Sequence, residues 1–183
     1  MQVTAELQKS KKKKWFRELQ EWVLSLTIAV VAALLIQNYA FAQTEVKNIS
    51  MQRTLVEGQR LIEDKISYRF EHPSRGDIVI INGPESDKRL IKRVIGLPGD
   101  VLNFKDGHVY INGKMLEEPY VKGETYANGL AVPYTVPEGK VFVMGDNREN
   151  SQDSRVIGPI AMSSIEGRAV FRLWPLNKFG QLH

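Results

Sequence analysis

Hydrophobic and polar positions divide this chain into two textures. From Trp22 to Ala42 the sequence WVLSLTIAVVAALLIQNYAFA carries no charge, and Ser25, Thr27, Gln37 and Asn38 are its strongly polar members. At 1.5 Å of rise per residue, about twenty such residues span a hydrocarbon core of about 30 Å. A buried helix of a soluble domain would carry a polar stripe along that length, and this stretch has none. The pattern predicts a transmembrane helix over residues 22–42.

Beyond Gln43 the texture becomes short β-like apolar runs separated by turn residues. The predicted strands are Asp77–Ile81, Leu90–Ile95, Val101–Phe104, His108–Ile111, Lys140–Met144 and Arg168–Leu173. Pro98-Gly99-Asp100, Asp106-Gly107, Asn112-Gly113, Asn128-Gly129 and Pro137-Glu138-Gly139 supply turns between them, and Asp106-Gly107 is a hairpin signal. No later run keeps a helical period. The expected fold is therefore mainly β, with a more polar, turn-rich segment near 105–137 reading as a small β insertion. The expected organisation is a basic N-terminus over 1–21, an anchor over 22–42 and a β-rich domain over 43–183.

Charge placement changes the picture in one respect. The chain of 183 residues has a net charge of +4, but residues 1–21 hold six of the 25 basic and three of the 21 acidic residues. The remainder is nearly neutral and offers no footprint for a nucleic-acid backbone. Lys11 to Lys14 and Arg17 precede the apolar run, so the positive-inside rule keeps that end cytoplasmic and exports everything after Gln43. Trp15, Trp22, Tyr39 and Phe41 fall where interfacial anchors belong. A basic start, an apolar run and Ala40-Phe41-Ala42 also fit a cleaved secretory signal, but the run exceeds the usual h-region, which favours an uncleaved anchor.

Candidate chemistry is limited. There is no cysteine, and the three histidines, His72, His108 and His183, show no ligand spacing, so neither a metal nor a cofactor is expected. The same histidines suit a Ser-His-Asp triad poorly, and no G-x-S-x-G elbow occurs. A Ser-Lys variant, with a neutral amine as base, remains. The only S-x-x-K match, Ser10 to Lys13, lies in the basic run. A lysine base must lose a proton held up to about pH 10.4, and burial among apolar groups can shift it by about 3 units, about 4 kcal/mol. Leu90-Ile91-Lys92-Arg93-Val94-Ile95 is the apolar strand that carries a lysine, although its alternation leaves open whether Lys92 or Arg93 faces inward. The polar stretch Gly145 to Arg155 reads either as a solvated loop or as a network in which Asp153 and Arg155 pair. Asn48-Ile49-Ser50 also spells a glycosylation sequon, a three-residue pattern common by chance.

Behind a single anchor, three segments in order resemble the bacterial type I signal peptidases of the short single-anchor kind. Ser50-Met51-Gln52-Arg53-Thr54-Leu55 is similar to the family's S-M-x-P-T-L. Lys92 to Asp100 matches K-R-x-x-G-x-P-G-D, and Gly145 to Arg155 matches G-D-N-R-x-x-S-x-D-S-R. The likeness runs from about residue 15 to 175. It implies that Ser50 is a nucleophile, that Lys92 is its general base, that Ser151 orients the Lys92 amine and that Asp153 and Arg155 are a supporting pair. It also implies shallow pockets for small side chains, to which Ile49, Leu90 and Ile91 contribute. The implied partners are signal peptides of exported preproteins, cleaved after A-x-A sites, with the lipid bilayer and the translocation channel close by. The implied location is the bacterial cell membrane, with the catalytic domain on its outer face.

Two positions depart from the family pattern. Arg53 stands where proline is usual, which frees the backbone and adds a charge. Asn48 stands where glycine or serine is usual, and its amide is a candidate oxyanion donor beside the Ser50 N–H. The rival readings are a specialised processing peptidase and a non-catalytic anchored β binding module.

Overall fold

The computed structural model describes residues 2–83 and 89–182 of the chain, and in the N-terminal helix it describes side chains from Lys14 to Leu34 and at Tyr39. The chain divides into two compact units, Met1–Ala40 and Phe41–His183. The first is one helix, α1 (Gln2–Tyr39). From Trp22 to Leu34 all of its residues are exposed, so apolar groups cover every face rather than a stripe. Among the described residues no helix is long and apolar enough to cross a membrane. The predicted span also takes in residues 35–38, whose side chains lie outside the described residues. The helix ends at Tyr39, and Phe41 and Ala42, expected at the end of the span, instead enter a strand because their backbone pairs with Asp64 and Glu63.

Among its described residues the second unit contains twelve strands: β1 (Phe41–Glu45), β2 (Arg60–Asp64), β3 (Ile78–Asn82), β4 (Arg89–Gly96), β5 (Val101–Lys105), β6 (His108–Ile111), β7 (Lys114–Met115), β8 (Tyr134–Thr135), β9 (Lys140–Met144), β10 (Ile160–Ala161), β11 (Ile165–Trp174) and β12 (Gly180–Gln181). A single helical turn, α2 (Ser154–Ile157), follows β9. Eight strands form one antiparallel sheet in the order β1-β2-β11-β3-β4-β9-β10, with β12 also on β11. The other four form a smaller sheet, β7-β6-β5-β8; β6, β7 and β8 fall in the region 105–137 predicted as an insertion, whereas β5 begins before it.

Three apolar clusters hold these layers. Val46, Met51, Leu55, Leu61, Ile78, Ile80, Ile91 and Ala169 pack together, and Val79, Ile81, Val94, Val141, Val143, Ile160 and Ile165 form a second cluster. Ile78 and Ile80 fall in one cluster and Val79 and Ile81 in the other, so β3 is covered on both faces. The third cluster joins Ile95, Phe142 and Met144 of the large sheet to Leu102, Val109, Ile111 and Val136 of the small one. Gly96 lies at that seam: a Cβ there would sit 2.9 Å from Val136 and 3.0 Å from Phe142.

Two features of this architecture position the site. Because β4 crosses a sheet covered on both sides, Lys92 and Arg93, on opposite faces of the strand, are both buried, at 2% and 1% exposure. The β4–β9 ladder begins only at the Arg93–Met144 pair. Residues Arg89 to Lys92 therefore pair with β3 along one edge and, among the described residues, with no strand along the other.

Candidate active site

Ser50 lies in a loop that leaves the sheet after β1 and returns to it at β2. The loop closes through Val46 N–H to Gln59 O and Gly58 N–H to Val46 O, both 2.9 Å. Met51 and Leu55, both fully buried, pin it to the first apolar cluster. This amphipathic spacing is why the segment turns Ser50 towards β4. Ser50 is 6% exposed, and its Oγ accepts from Lys92 Nζ at 2.9 Å. Lys92 Nζ also donates to the carbonyl of Ile91 at 3.2 Å. Burial pushes the Lys92 amine down to about 8, although the charges of Asp153 and Asp146 pull it partly back up. An amine in that range is neutral about a tenth of the time at pH 7, and in that form it can accept a proton from a hydroxyl.

Asn48 meets Ser50 differently from the expected donor. Its Oδ1 accepts from Ser50 Oγ at 2.8 Å and from Ser50 N–H at 3.3 Å. The amide oxygen, rather than the NH2, faces the serine, because two donors converge there.

The polar stretch after β9 is a network rather than a free loop, since residues 145–148 and 153–155 are buried. Asp153 caps α2: Arg155 N–H donates to its Oδ1 at 3.3 Å, and the Arg155 guanidinium adds two bonds of 2.9 Å. Gly145 N–H also donates to Asp153, at 3.1 Å. Burial alone would raise the Asp153 carboxyl, but the hydrogen bonds and charge of Arg155 outweigh it and hold the group below its usual range. Ser151 Oγ is buried, and its hydroxyl helps to hold the Asp153 carboxyl down. It lies against Gly145, where a Cβ would collide with it and would also stand 2.5 Å from the Ser50 carbonyl oxygen. The Ser151 hydroxyl thus flanks the Ser50 backbone, and the structure gives it no hydrogen bond to Lys92.

The candidate pocket residues separate. Ile91 is 6% exposed and joins Met51 and Leu55 in the first cluster. Leu90, on the opposite face of β4, packs on the second cluster. Ile49 is 43% exposed.

Sequence reasoning passed over several residues that build the site. Asn147 N–H donates to Ser50 O at 2.9 Å and Asn147 Nδ2 to Ile49 O at 3.1 Å, fixing the backbone on both sides of the serine's Cα. Arg93 Nε and Nη2 bond both oxygens of Asp146 at 3.0 and 2.9 Å, Thr54 Oγ1 donates to the same carboxylate, and the Tyr120 ring stacks 3.9 Å from the guanidinium. Thr54, Arg93, Asp146 and Asn147 stood within the quoted motifs, which was the available signal. Tyr120 carried none.

A serine hydroxyl hydrogen-bonded to a buried amine, in a β fold whose adjacent strand edge carries no partner among the described residues, is the equipment of a serine peptidase with an amine base. The family described as "Signal peptidase, peptidase S26" matches residues 19–174, and the chain belongs to it. It is 44% identical over 180 residues to a signal peptidase I of Bacillus licheniformis, covering 93% of this chain and 96% of that one. It is likewise 44% identical over 170 residues to signal peptidase I T of Bacillus subtilis, covering 88% of each. A solved signal peptidase I from Enterococcus faecalis is 37% identical and covers 54% of this chain and 97% of its own, with a TM-score of 0.49.

Proposed function

We propose that this chain is a membrane-anchored endopeptidase that removes signal peptides from exported preproteins, with Ser50 as nucleophile and Lys92 as general base. The observation that carries the reading is the 2.9 Å hydrogen bond between Lys92 Nζ and Ser50 Oγ, made by an amine that is 2% exposed. Ser50 Oγ attacks the scissile carbonyl carbon while its proton passes to the neutral amine of Lys92. The resulting lysinium gives that proton to the departing amine, leaving an ester on Ser50. Lys92 then takes a proton from water, whose oxygen attacks the ester, and the lysinium returns that proton to Ser50 Oγ as the acid leaves.

Asn48 has two parts in this sequence. At rest its Oδ1 holds the Ser50 hydroxyl and N–H. A half-turn of the amide releases the hydroxyl towards Lys92 and presents Nδ2, beside the Ser50 N–H, to the oxyanion of the tetrahedral intermediate.

The free edge of β4 suits an extended substrate, whose backbone can pair with Arg89 to Lys92 as an added strand. Ile91 and Ile49 then flank the residue at the scissile bond, Leu90 contacts the other side of the strand, and short side chains such as those of an A-x-A site fit closest to Ser50. Asp153 and Arg155 keep the Gly145 turn in place behind the nucleophile, and Ser151 packs within it. The uncharged stretch 22–42 with its basic flank supports a single-pass anchor with a cytoplasmic N-terminus. In this reading the β unit lies on the outer face of the membrane, at the bilayer and near the translocation channel from which preproteins emerge. Cleavage of an A-x-A preprotein in liposomes by the wild type, and loss of it in both Ser50→Ala and Lys92→Ala, is the expected result. Wild-type rates in Lys92→Ala across pH 6–10 would discard the dyad.

A further inference from the structure

We infer that Arg53 is a positioning residue, which fastens the nucleophile loop to the segment from Glu118 to Thr125 and thereby sets the placement of Ser50. The inference rests on the peptidase reading for its kinetic consequence, and on hydrogen bonds alone for its geometry.

Arg53 is exposed, yet its Nη1 donates to the carbonyl of Val121 at 2.9 Å, across 68 residues of sequence. The neighbouring pair answers in the other direction: Lys122 Nζ donates to Gln52 Oε1 at 3.0 Å. These two side chains clasp residues 52–53 to residues 121–122.

The clasped segment in turn holds the backbone behind the serine. Lys122 N–H donates to Asp146 O at 2.8 Å, and Arg148 N–H donates to Lys122 O at 2.9 Å, a parallel bridge centred on Asn147. Asn147 N–H then bonds Ser50 O at 2.9 Å. The path from Arg53 to Val121, through Lys122 and Asn147 to Ser50, closes a ring with the loop itself.

The segment is firm enough to transmit position. Glu118 pairs with buried Arg148, whose Nη1 also donates to Thr125 Oγ1 at 2.7 Å, and Tyr120 stacks on Arg93. A proline at position 53 would stiffen the loop from within. Arginine instead stiffens it from outside, through a carbonyl that no side-chain substitution at position 121 removes. Since a displacement of about 1 Å at a reacting atom costs about 100-fold, loss of one strut of this ring is expected in kcat rather than in substrate binding.

The test uses full-length protein in liposomes with an A-x-A preprotein, comparing wild type, Arg53→Ala, Arg53→Gln and Lys122→Met. Arg53→Ala is expected to lower kcat by about 5- to 50-fold with KM changed less than about twofold. Arg53→Gln, which can still donate to the Val121 carbonyl, should recover part of the loss. Amide hydrogen exchange at Asn147 and Lys122 should accelerate in Arg53→Ala, with Tm within about 2 °C of wild type. Unchanged kcat together with unchanged exchange at both amides overturns the inference, as does a kcat loss that Gln does not relieve and that tracks a fall in Tm. Accelerated exchange in a protein whose wild type cleaves no preprotein supports the clasp and sinks the peptidase reading instead.

Discussion

Lys92 Nζ lies 2.9 Å from Ser50 Oγ, across forty-two residues of sequence. Burial depresses the amine from 10.5 to about 8, so the active fraction of enzyme should rise tenfold per pH unit below about 8 and level off above it. The expected profile of kcat/KM is an ascending limb with an apparent midpoint near 8. A midpoint near 6.5, unchanged in Lys92→Arg, would assign the base elsewhere.

The same burial sets a stability cost whose sign is fixed. Lys92 has a lower pKa folded than unfolded, so between about pH 8 and 10.5 the unfolded chain binds more protons and stability rises with pH. Below about 8 the folded state carries the full penalty of a charge it can scarcely solvate. Lys92→Met removes that penalty while keeping the volume, and at pH 7 it should stabilise the protein by about 1–3 kcal/mol while abolishing cleavage. Urea unfolding at pH 7 and pH 10 checks it: the advantage of Met should shrink at the higher pH.

How much of this was legible beforehand differs by element. All six predicted strands exist, because each is a short apolar run between turn residues, as in Ile78–Asn82 and Lys140–Met144. β1 and β2, FAQTE and RLIED, were not foreseen, since Gln43, Glu45, Arg60 and Asp64 mask the period; tertiary pairing, not propensity, makes them strands. In the site, Ser50 and Lys92 were singled out by motif, and alternation could not choose between Lys92 and Arg93. It posed a choice the fold does not make, because β4 is covered on both faces and both cations are buried. The clasp of Arg53 on Val121 was out of reach, because the acceptor is a main-chain carbonyl and carries no side-chain signature.

Asn48 offers a test in which donor and acceptor roles part company. Asp at this position is isosteric and keeps an oxygen on the Ser50 hydroxyl and N–H, but it has no amide to offer an oxyanion and adds a negative charge beside it. Asn48→Asp should lower kcat by about 100-fold, the usual scale for one lost oxyanion donor, while Asn48→Ser should retain most of the activity. Equal rates in Asn48→Asp and wild type would restrict Asn48 to its resting contact.

Arg93 and Asp146 form a buried ion pair next to the nucleophile loop. Arg93 is 1% exposed and Asp146 fully buried, and an arginine cannot shed its charge when its partner is lost. Asp146→Asn keeps the shape and one amide-oxygen acceptor but removes the countercharge, so the guanidinium keeps only neutral partners such as the Gly76 carbonyl, Thr54 and the Tyr120 ring. That uncompensated charge should cost about 3–5 kcal/mol. Removing both charges together, in Arg93→Met with Asp146→Leu, takes away the uncompensated ion along with its desolvation cost, so the double variant should be more stable than Asp146→Asn alone. Its activity should nevertheless stay low, because Thr54 loses the carboxylate that holds the far end of the nucleophile loop. Denaturant unfolding and preprotein cleavage on the same samples separate the two effects: stability should return in the double variant and catalysis should not.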